Sequence, residues 1–383
     1  MKDFFRVIAK FLHEADIFLL VVSLLSSLYG LLLISSILRN STGNELYVQI
    51  GALVIGVALF VLFSYIDIDI IADKYGILIV ISALFILTLQ FWGVGGTGYG
   101  QRAWLRFFGI GIQPAEVVKL IYIIIIAKMI VNYRERKTLN TLISLFQILF
   151  VSALLFGLIM FVSADLGSAI VYLFILIIML FIGGVKLSWF ILGGAVIAAF
   201  SPLLWFNFLS ENHRNRILAP LFPDRVDPET LDKIAWQAEQ SVRAISSGGW
   251  RGKGLGNGRM TQRGLIPAQH TDFIFSAAGE ELGFIGCMII IILLIAVIIR
   301  CVYIGVKSND LLGLLVCMGI AAMFVVQVIE NIGMCLNILP VVGITLPFFS
   351  YGGSSMVTCF AAMGIVSGIK MRPKSARFRT FWN

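Results

Sequence analysis

Charge is scarce in this chain. Asp, Glu, Lys and Arg make up 13% of its 383 residues, about half the roughly 25% of a soluble domain, which excludes a water-soluble globule of this size. Histidine occurs three times, and the five cysteines (Cys287, Cys301, Cys317, Cys335 and Cys359) all fall in the last third. No CxxC and no Cys/His metal spacing occurs, and an odd count with none in the long polar segment argues against disulfides. The cysteines read as small buried packing residues. An internal repeat, a linker and a low-complexity tail are missing too, so residues 1–383 read as a single polytopic membrane domain.

What the chain has instead is apolar length. Hydrophobic residues make up 59%, and about ten stretches approach the roughly 20 apolar residues that cross a bilayer. They lie near 16–38, 46–66, 75–93, 113–131, 140–162, 166–184, 187–206, 273–300, 311–335 and 350–370. The predicted fold class is an all-α integral membrane protein. About ten transmembrane helices are expected, with one large extracytoplasmic loop between the seventh and eighth.

The cations sort by side. Lys2, Arg6, Lys10, Lys74, Lys128, Arg134, Arg136, Lys137, Lys186, Arg300 and Lys307 fall together with a short basic tail over 371–383. The short opposite loops hold only Arg39, Arg102 and Arg106. Positive-inside bias then predicts both termini in the cytoplasm and the long loop outside. The +8 net charge is topology and attraction to anionic membrane lipids, and nucleic acid is a poor alternative. Residues 1–15 suit an amphipathic helix on the inner leaflet, with Phe4, Phe5, Ile8 and Phe11 among Lys2, Arg6 and Lys10. No cleavage site follows the first apolar run, which is expected to stay as a signal-anchor.

One segment breaks the pattern. Residues 207–272 carry nine Lys/Arg against seven Asp/Glu, and they close on Pro267-Ala268-Gln269-His270-Thr271-Asp272 where hydrophobicity resumes. Within it, residues 231–247 have a helical stripe of Ile234, Ala238, Val242 and Ile245, with Gln240 and Ser241 close by. The glycine-rich run 248–258 lacks GxxxxGK[ST] and a preceding strand, so a nucleotide site is excluded, while a basic, backbone-rich loop meeting a lipid pyrophosphate stays open. Thr271 is the expected N-cap of the eighth span, which leaves Asp272 in its first turn. There it is either a plain helix-start acid or a general base.

Ionisable residues inside spans are costly and therefore candidates. Glu116 and Lys119 are i and i+3 on one helix face, either a self-satisfied ion pair or a site. Asp165 is equally an N-cap for the sixth span or a site wall. Glu280 and Glu281 cannot both face lipid. Gln327, Glu330 and Asn331 give the ninth span a polar face, and the tenth opens with Ser350, Tyr351, two glycines, Ser354 and Ser355.

Taken together these motifs resemble the SEDS family (shape, elongation, division and sporulation proteins: RodA, FtsW and SpoVE) over nearly the whole chain. Gln113-Pro114-Ala115-Glu116 with Lys119 is similar to QPSE-x-x-K, and Asp165-Leu166-Gly167-Ser168 to DLGT/S. His270 to Phe275 with Gly279 to Gly283, and Leu346 to Ser355, are nearly verbatim. Ala268 stands where the family has Glu, Ala115 where it has Ser, and Asn337 where Gly is common. Gln269-His270 and the short tails lean toward the RodA branch.

The resemblance implies a peptidoglycan glycosyltransferase for cell elongation and shape. Its substrate would be lipid II, polymerised at the outer face of the cytoplasmic membrane with a class B penicillin-binding protein as partner. It makes Asp272 the catalytic base of an inverting transfer with undecaprenyl pyrophosphate leaving. Glu116, Lys119, Asp165, Arg216, Gln240, Ser241, His270, Glu280, Asn331, Ser350 and Ser354 are then expected to bind substrate. The resemblance fixes no cofactor, and a divalent cation (Mg2+ or Mn2+) is one candidate to neutralise the leaving group. The alternative is a lipid II flippase or transporter of the same pathway, and a third reading is a scaffold for the penicillin-binding protein.

Overall fold

The computed structural model describes residues 11, 13–39, 43–95, 102–107, 110–207, 211–308 and 310–372. The amphipathic lead (1–15) and the basic tail (371–383) therefore lie largely outside the described residues. Phe11 packs on Phe60 and Tyr65, with ring centroids 6.4 and 5.6 Å away.

Ten long helices make the bundle. They are α1 (Ile17–Ile37), α2 (Glu45–Tyr65), α4 (Tyr75–Trp92), α5 (Pro114–Glu135), α6 (Leu142–Leu158), α7 (Leu166–Gly183), α8 (Leu187–Asn207), α12 (Ile274–Val306), α13 (Leu311–Cys335) and α14 (Gly353–Met371), with a short α3 (Ile68–Ala72) between α2 and α4. A π-type turn, Ile159–Ser163, extends α6. Nine of the ten, counting α6 through Ser163, are long and apolar enough to cross a membrane. The tenth, α5, is 22 residues long but carries Glu116, Lys119 and Lys128. Each predicted stretch has its helix, and the chain is a multi-pass membrane protein.

Burial explains how a charged α5 is tolerated. Its side chains from Pro114 to Val131 are mostly enclosed by neighbouring helices, and Lys119 is only 1% exposed. The helices α13 and α14 are the most enclosed of the apolar nine, whereas α8 buries none of its most apolar stretch against the rest of the chain. Polar side chains inside the bundle face protein, as the cost of exposing them to lipid requires. All five cysteines are free and buried.

Chain entry into helices follows side-chain caps. Asp16, Asp165 and Asp310 each accept from a backbone N–H three residues on, 2.9, 2.9 and 2.5 Å away, which satisfies one of the orphan donors of the first turn. At the end of the bundle opposite the long loop, Arg372 reaches Asp67, Asp69 and Asp310, and Arg300 and Lys370 enclose Asp16.

Two features were not predicted. A three-stranded antiparallel sheet joins β1 (Gly93–Val94), β2 (Trp104–Phe107) and β3 (Ile110–Ile112), pairing Gly93 with Leu105 and Leu105 with Ile112. The long loop holds a helix α9 (Glu211–Leu221) before the expected one, α10, which runs Pro228–Gly248, and a short α11 (Arg259–Gln262) after it. Pro228 takes the first helical position after Asp227, whose carboxylate accepts from the Thr230 N–H, so the helix starts three residues before the expected 231.

The glycine-rich segment has a different role from a phosphate cradle. Helix α12 is broken at Gly283 (φ 68°, ψ −163°), which deprives the carbonyls of Glu280 and Glu281 of helical partners. The N–H groups of Lys253 and Gly254 take them, at 3.0 and 2.8 Å. In return the N–H groups of Phe284 and Ile285 bond the carbonyls of Gly249 and Trp250, at 2.8 and 3.2 Å. The loop repairs the break, and these backbone groups are not free for a ligand. Gly252 and Gly254 have φ of 75° and 91°, which only glycine adopts at low cost.

Candidate functional site

The site grows from one turn. The Ala268 carbonyl accepts from the N–H groups of Thr271, Asp272 and Phe273 at 3.0 to 3.2 Å, which curls the chain just before α12. Thr271 is therefore not the N-cap: its hydroxyl donates to Ala268, and the helix starts at Ile274 without a side-chain cap. Asp272 stands ahead of the helix, in the turn.

Three consecutive carbonyls of that turn are each held from elsewhere. The Tyr351 N–H donates to His270 at 2.7 Å, the Ser350 hydroxyl to Thr271 at 2.5 Å, and the Asn331 amide to Asp272 at 2.8 Å. Asn331, fully buried, also donates to the Ile344 carbonyl at 2.7 Å. Ser350 in turn accepts from Leu346 N–H. Gln49 of α2 braces the other side, donating to the Ser350 carbonyl and accepting from Gly352 N–H, at 3.1 and 3.0 Å. Phe348 sits at φ 68° to make the bend, a costly state for a bulky residue that the surrounding bonds maintain.

The Asp272 carboxyl stands between Gly343 and the capping residue of α7, Asp165. A Cβ on Gly343 would come within 3.4 Å of it. Asp165 lies within electrostatic reach, and Glu330 lies within reach of both Asp165 and Lys119. Asp165 is both cap and wall: it takes Ser168 N–H at 2.9 Å and the Ser168 hydroxyl at 2.7 Å, and accepts from the Gln113 amide at 2.9 Å. The Gln113 N–H donates to the Ser354 hydroxyl at 3.0 Å, which donates to the Gly111 carbonyl at 2.8 Å. Lys119 and Glu116 pair at 2.5 Å inside the bundle.

Burial among these groups pushes the Asp272 carboxyl up to about 6, opposed by the Thr271 hydrogen bond and reinforced by Asp165. A base poised near neutrality is what proton abstraction from a hydroxyl needs. Burial also lowers His270, with Glu45 pulling the other way.

Among the predicted substrate-binding residues, Asn331 and Ser350 hold the turn that carries His270 and Asp272, and Asp165 lies within electrostatic reach of Asp272. Ser354 joins Asp165 through Gln113, and Lys119, paired with Glu116, lies within reach of Glu330. Glu280 is elsewhere: its carboxylate takes Lys253, Met260 N–H and Thr261, at 2.6 to 2.9 Å, and ties the loop to α12. Glu281 does the same with Ser36 and Gln262. Ser241 is fully buried, bonding the Cys335 carbonyl and Ser276, so it seals α10 onto the bundle. Gln240 is half-buried beside it on α10, and the Arg216 side chain lies outside the described residues. Gln49, Gln113 and Ser168 were missed. The last two stood inside quoted motifs, and Gln49 is a lone polar residue in an apolar run. Among the described residues no three His, Cys, Asp or Glu side chains converge as metal ligands.

Residues 16–375 match the family of FtsW, RodA and SpoVE, described as cell cycle proteins. The peptidoglycan glycosyltransferase MrdB of Escherichia coli K12 is 33% identical over 329 residues, 85% of each chain. A probable peptidoglycan glycosyltransferase FtsW of Geobacter metallireducens is 34% identical over 304 residues, 79% of this chain and 78% of its own. In structure, a chain from a peptidoglycan synthase complex that coordinates polymerization and crosslinking superposes with TM-score 0.79 at 26% identity, covering 93% of this chain and 97% of that one. The rod shape determining protein RodA of Thermus thermophilus shares the fold, with TM-score 0.67 at 24% identity over 93% and 96% of the two chains. The chain belongs to the SEDS family of FtsW, RodA and SpoVE.

Proposed function

We propose that this protein is a peptidoglycan glycosyltransferase that polymerises lipid II, with Asp272 as the general base. The observation that carries this reading is a half-enclosed carboxyl raised to about 6, on a turn whose three carbonyls are pinned, above a buried Glu116–Lys119 pair. Family membership and relatives carrying that activity support it.

In the proposed step Asp272 takes the proton of the acceptor 4-hydroxyl. The freed oxygen forms the bond to the anomeric carbon of the donor sugar from the face opposite its substituent. The bond to pyrophosphate breaks, and undecaprenyl pyrophosphate leaves with the electron pair, giving inversion. Fixed charges aimed at the leaving group supply much of such a rate, and Lys119, buried and within electrostatic reach of Glu330, is the cation assigned to that task. Glu116 holds it there.

Positive-inside bias places both termini in the cytoplasm and the Asp272 end outside the cell. A class B penicillin-binding protein is the proposed partner, as the synthase complex suggests. The role in elongation rests on the RodA leaning of the Gln269-His270 wording. The carboxylates and Lys119 deep in the bundle favour one second reading, a headgroup path for a transporter.

Liposomes carrying labelled lipid II separate the two. Polymer formation by wild-type protein, lost in Asp272→Asn with partner binding kept, supports the enzyme. Movement of lipid II across the bilayer without lengthening supports the transporter.

A further inference from the structure

At the end of the bundle opposite the long loop, α1 and α12 meet in a cluster of cations. The two helices run antiparallel: Ser36 donates to Glu281, Tyr29 to the Gly286 carbonyl, and, at the far end, Arg300 to Asp16. Asp16 is fully buried. Its carboxylate takes the Arg300 guanidinium through Nε and Nη2, and the Lys370 ammonium of α14 at 3.0 Å. Both cations stay partly exposed, by 26% and 38%. Beside them stands Tyr303, exposed, with the Arg300 guanidinium 5.0 Å from its ring centre and the Lys307 ammonium 4.5 Å. Lys307 also donates to the Tyr303 hydroxyl at 2.6 Å. On the α1 side, Arg300 lies 5.5 Å over the exposed ring of Phe18. Three cations thus gather around one buried carboxylate and two exposed rings. Asp67, Asp69 and Asp310, at the same end, are drawn onto Arg372 instead.

We propose that Arg300, Tyr303, Lys307 and Lys370 bind the headgroup phosphate of an anionic phospholipid whose acyl chains lie along α1 and α12. The site is separate from the reaction proposed above, and on the orientation argued there it belongs to the cytoplasmic leaflet. Guanidinium and ammonium groups form charge-assisted hydrogen bonds to phosphate oxygens, and basic pockets between membrane helices suit anionic headgroups. Asp16 supplies the preorganisation, because it holds two like charges side by side before any ligand arrives. The Tyr303 hydroxyl accepts from Lys307, a bond that leaves its own proton to donate to a phosphate oxygen. A tyrosine with its ring in apolar surroundings and its tip among headgroups suits this level of a membrane. The surface beyond the cations separates a lipid from a free phosphate. One to two turns deeper on the same faces come Val21 and Leu25 of α1 and Ile299 and Ile295 of α12, all exposed. An acyl chain covers them, and a free anion leaves them bare. A choline headgroup would bring a fourth cation to the cluster, so the net charge of the lipid decides.

Native mass spectrometry of the purified full-length protein in detergent tests this, with phosphatidylglycerol or phosphatidylcholine added at equal concentration. Wild type should bind its first phosphatidylglycerol about tenfold more tightly than phosphatidylcholine. Lys307→Gln should weaken phosphatidylglycerol about fivefold, and Lys307→Gln combined with Lys370→Gln should abolish the preference. Lys186→Gln removes an exposed lysine at the same end but outside the cluster, and should bind as wild type does. Phosphatidylcholine binding should change in none of them. Should the double variant misfold, Lys307→Gln decides alone. No preference in wild type, or unchanged affinity in Lys307→Gln, would overturn the site. An equal loss in Lys186→Gln would overturn it as well, by showing general attraction to a basic surface. Displacement of the lipid by millimolar inorganic phosphate would assign the cluster to a free anion and rule out the lipid.

Discussion

The Asn331 amide holds the backbone carbonyl of Asp272 at 2.8 Å and that of Ile344 at 2.7 Å, so one buried side chain ties the candidate base to the segment that faces it. Position, more than charge, is what Asn331 contributes. A base that drifts by an ångström loses much of its rate even when its pKa is unchanged.

Asn331→Leu therefore strands two carbonyls, each costing about 1–3 kcal/mol unless water reaches it. We expect the rate of polymerisation to fall at least about tenfold, with KM for lipid II nearly unchanged. Steady-state kinetics on protein that still elutes as a monodisperse peak checks this. An unchanged rate would mean that the turn is held well enough without it.

The Glu116–Lys119 pair separates stability from chemistry. Lys119→Met leaves a buried carboxylate unpaired, and a thermal shift equivalent to about 3–5 kcal/mol is expected. Replacing both residues with methionine should recover most of that stability but none of the activity, because the cation for the leaving group is gone. Recovered activity in the double variant would make the pair purely structural.

Gly283 tests the repair of α12. A Cβ there would run into the backbone of Arg251 and Gly252, and φ is +68°. Gly283→Ala is expected to expel the 249–258 segment at a cost of about 2–4 kcal/mol, from strain and lost backbone bonds together. Limited proteolysis should then cut within that segment, which wild-type protein protects.

Protonation of Asp272 couples to stability with a definite sign. Its carboxyl is raised from 3.8 to about 6, so the folded state disfavours the charged form. That penalty is absent below pH 4 and complete above pH 6, and it amounts to at most about 3 kcal/mol. Asp272→Asn should accordingly melt higher than wild type at pH 7.5 and equally at pH 4. Scanning fluorimetry at the two values reads the difference.

Much of this was legible in the sequence. Apolar length placed every span, because the bilayer fixes how many residues a helix needs. Pro114 and Asp165 marked their helix starts, and i, i+3 spacing paired Glu116 with Lys119. The clamp on the turn was not legible, because its donors come from residues 59 to 81 positions away and act on backbone carbonyls, which carry no side-chain signature. Gly252 and Gly254 misled for a related reason. The N–H groups of this run looked available to phosphate, but the Gly252 N–H bonds the Gly248 carbonyl, and the break at Gly283 claims those of Lys253 and Gly254. Glu280 was expected to bind substrate, yet its carboxylate is taken by Lys253, Met260 and Thr261. Asn337, where relatives have glycine, proves to sit at φ 57°, a state asparagine tolerates.

The most direct test is the pH dependence of lipid II polymerisation by wild-type protein, read by product length between pH 5 and 8, beside Asp272→Asn. With Asp272 as the base, the wild-type rate rises tenfold per pH unit at the acid end and levels off above about 6, while Asp272→Asn makes no polymer at any pH. Polymer from Asp272→Asn at the wild-type rate, with the same acid limb, would contradict it.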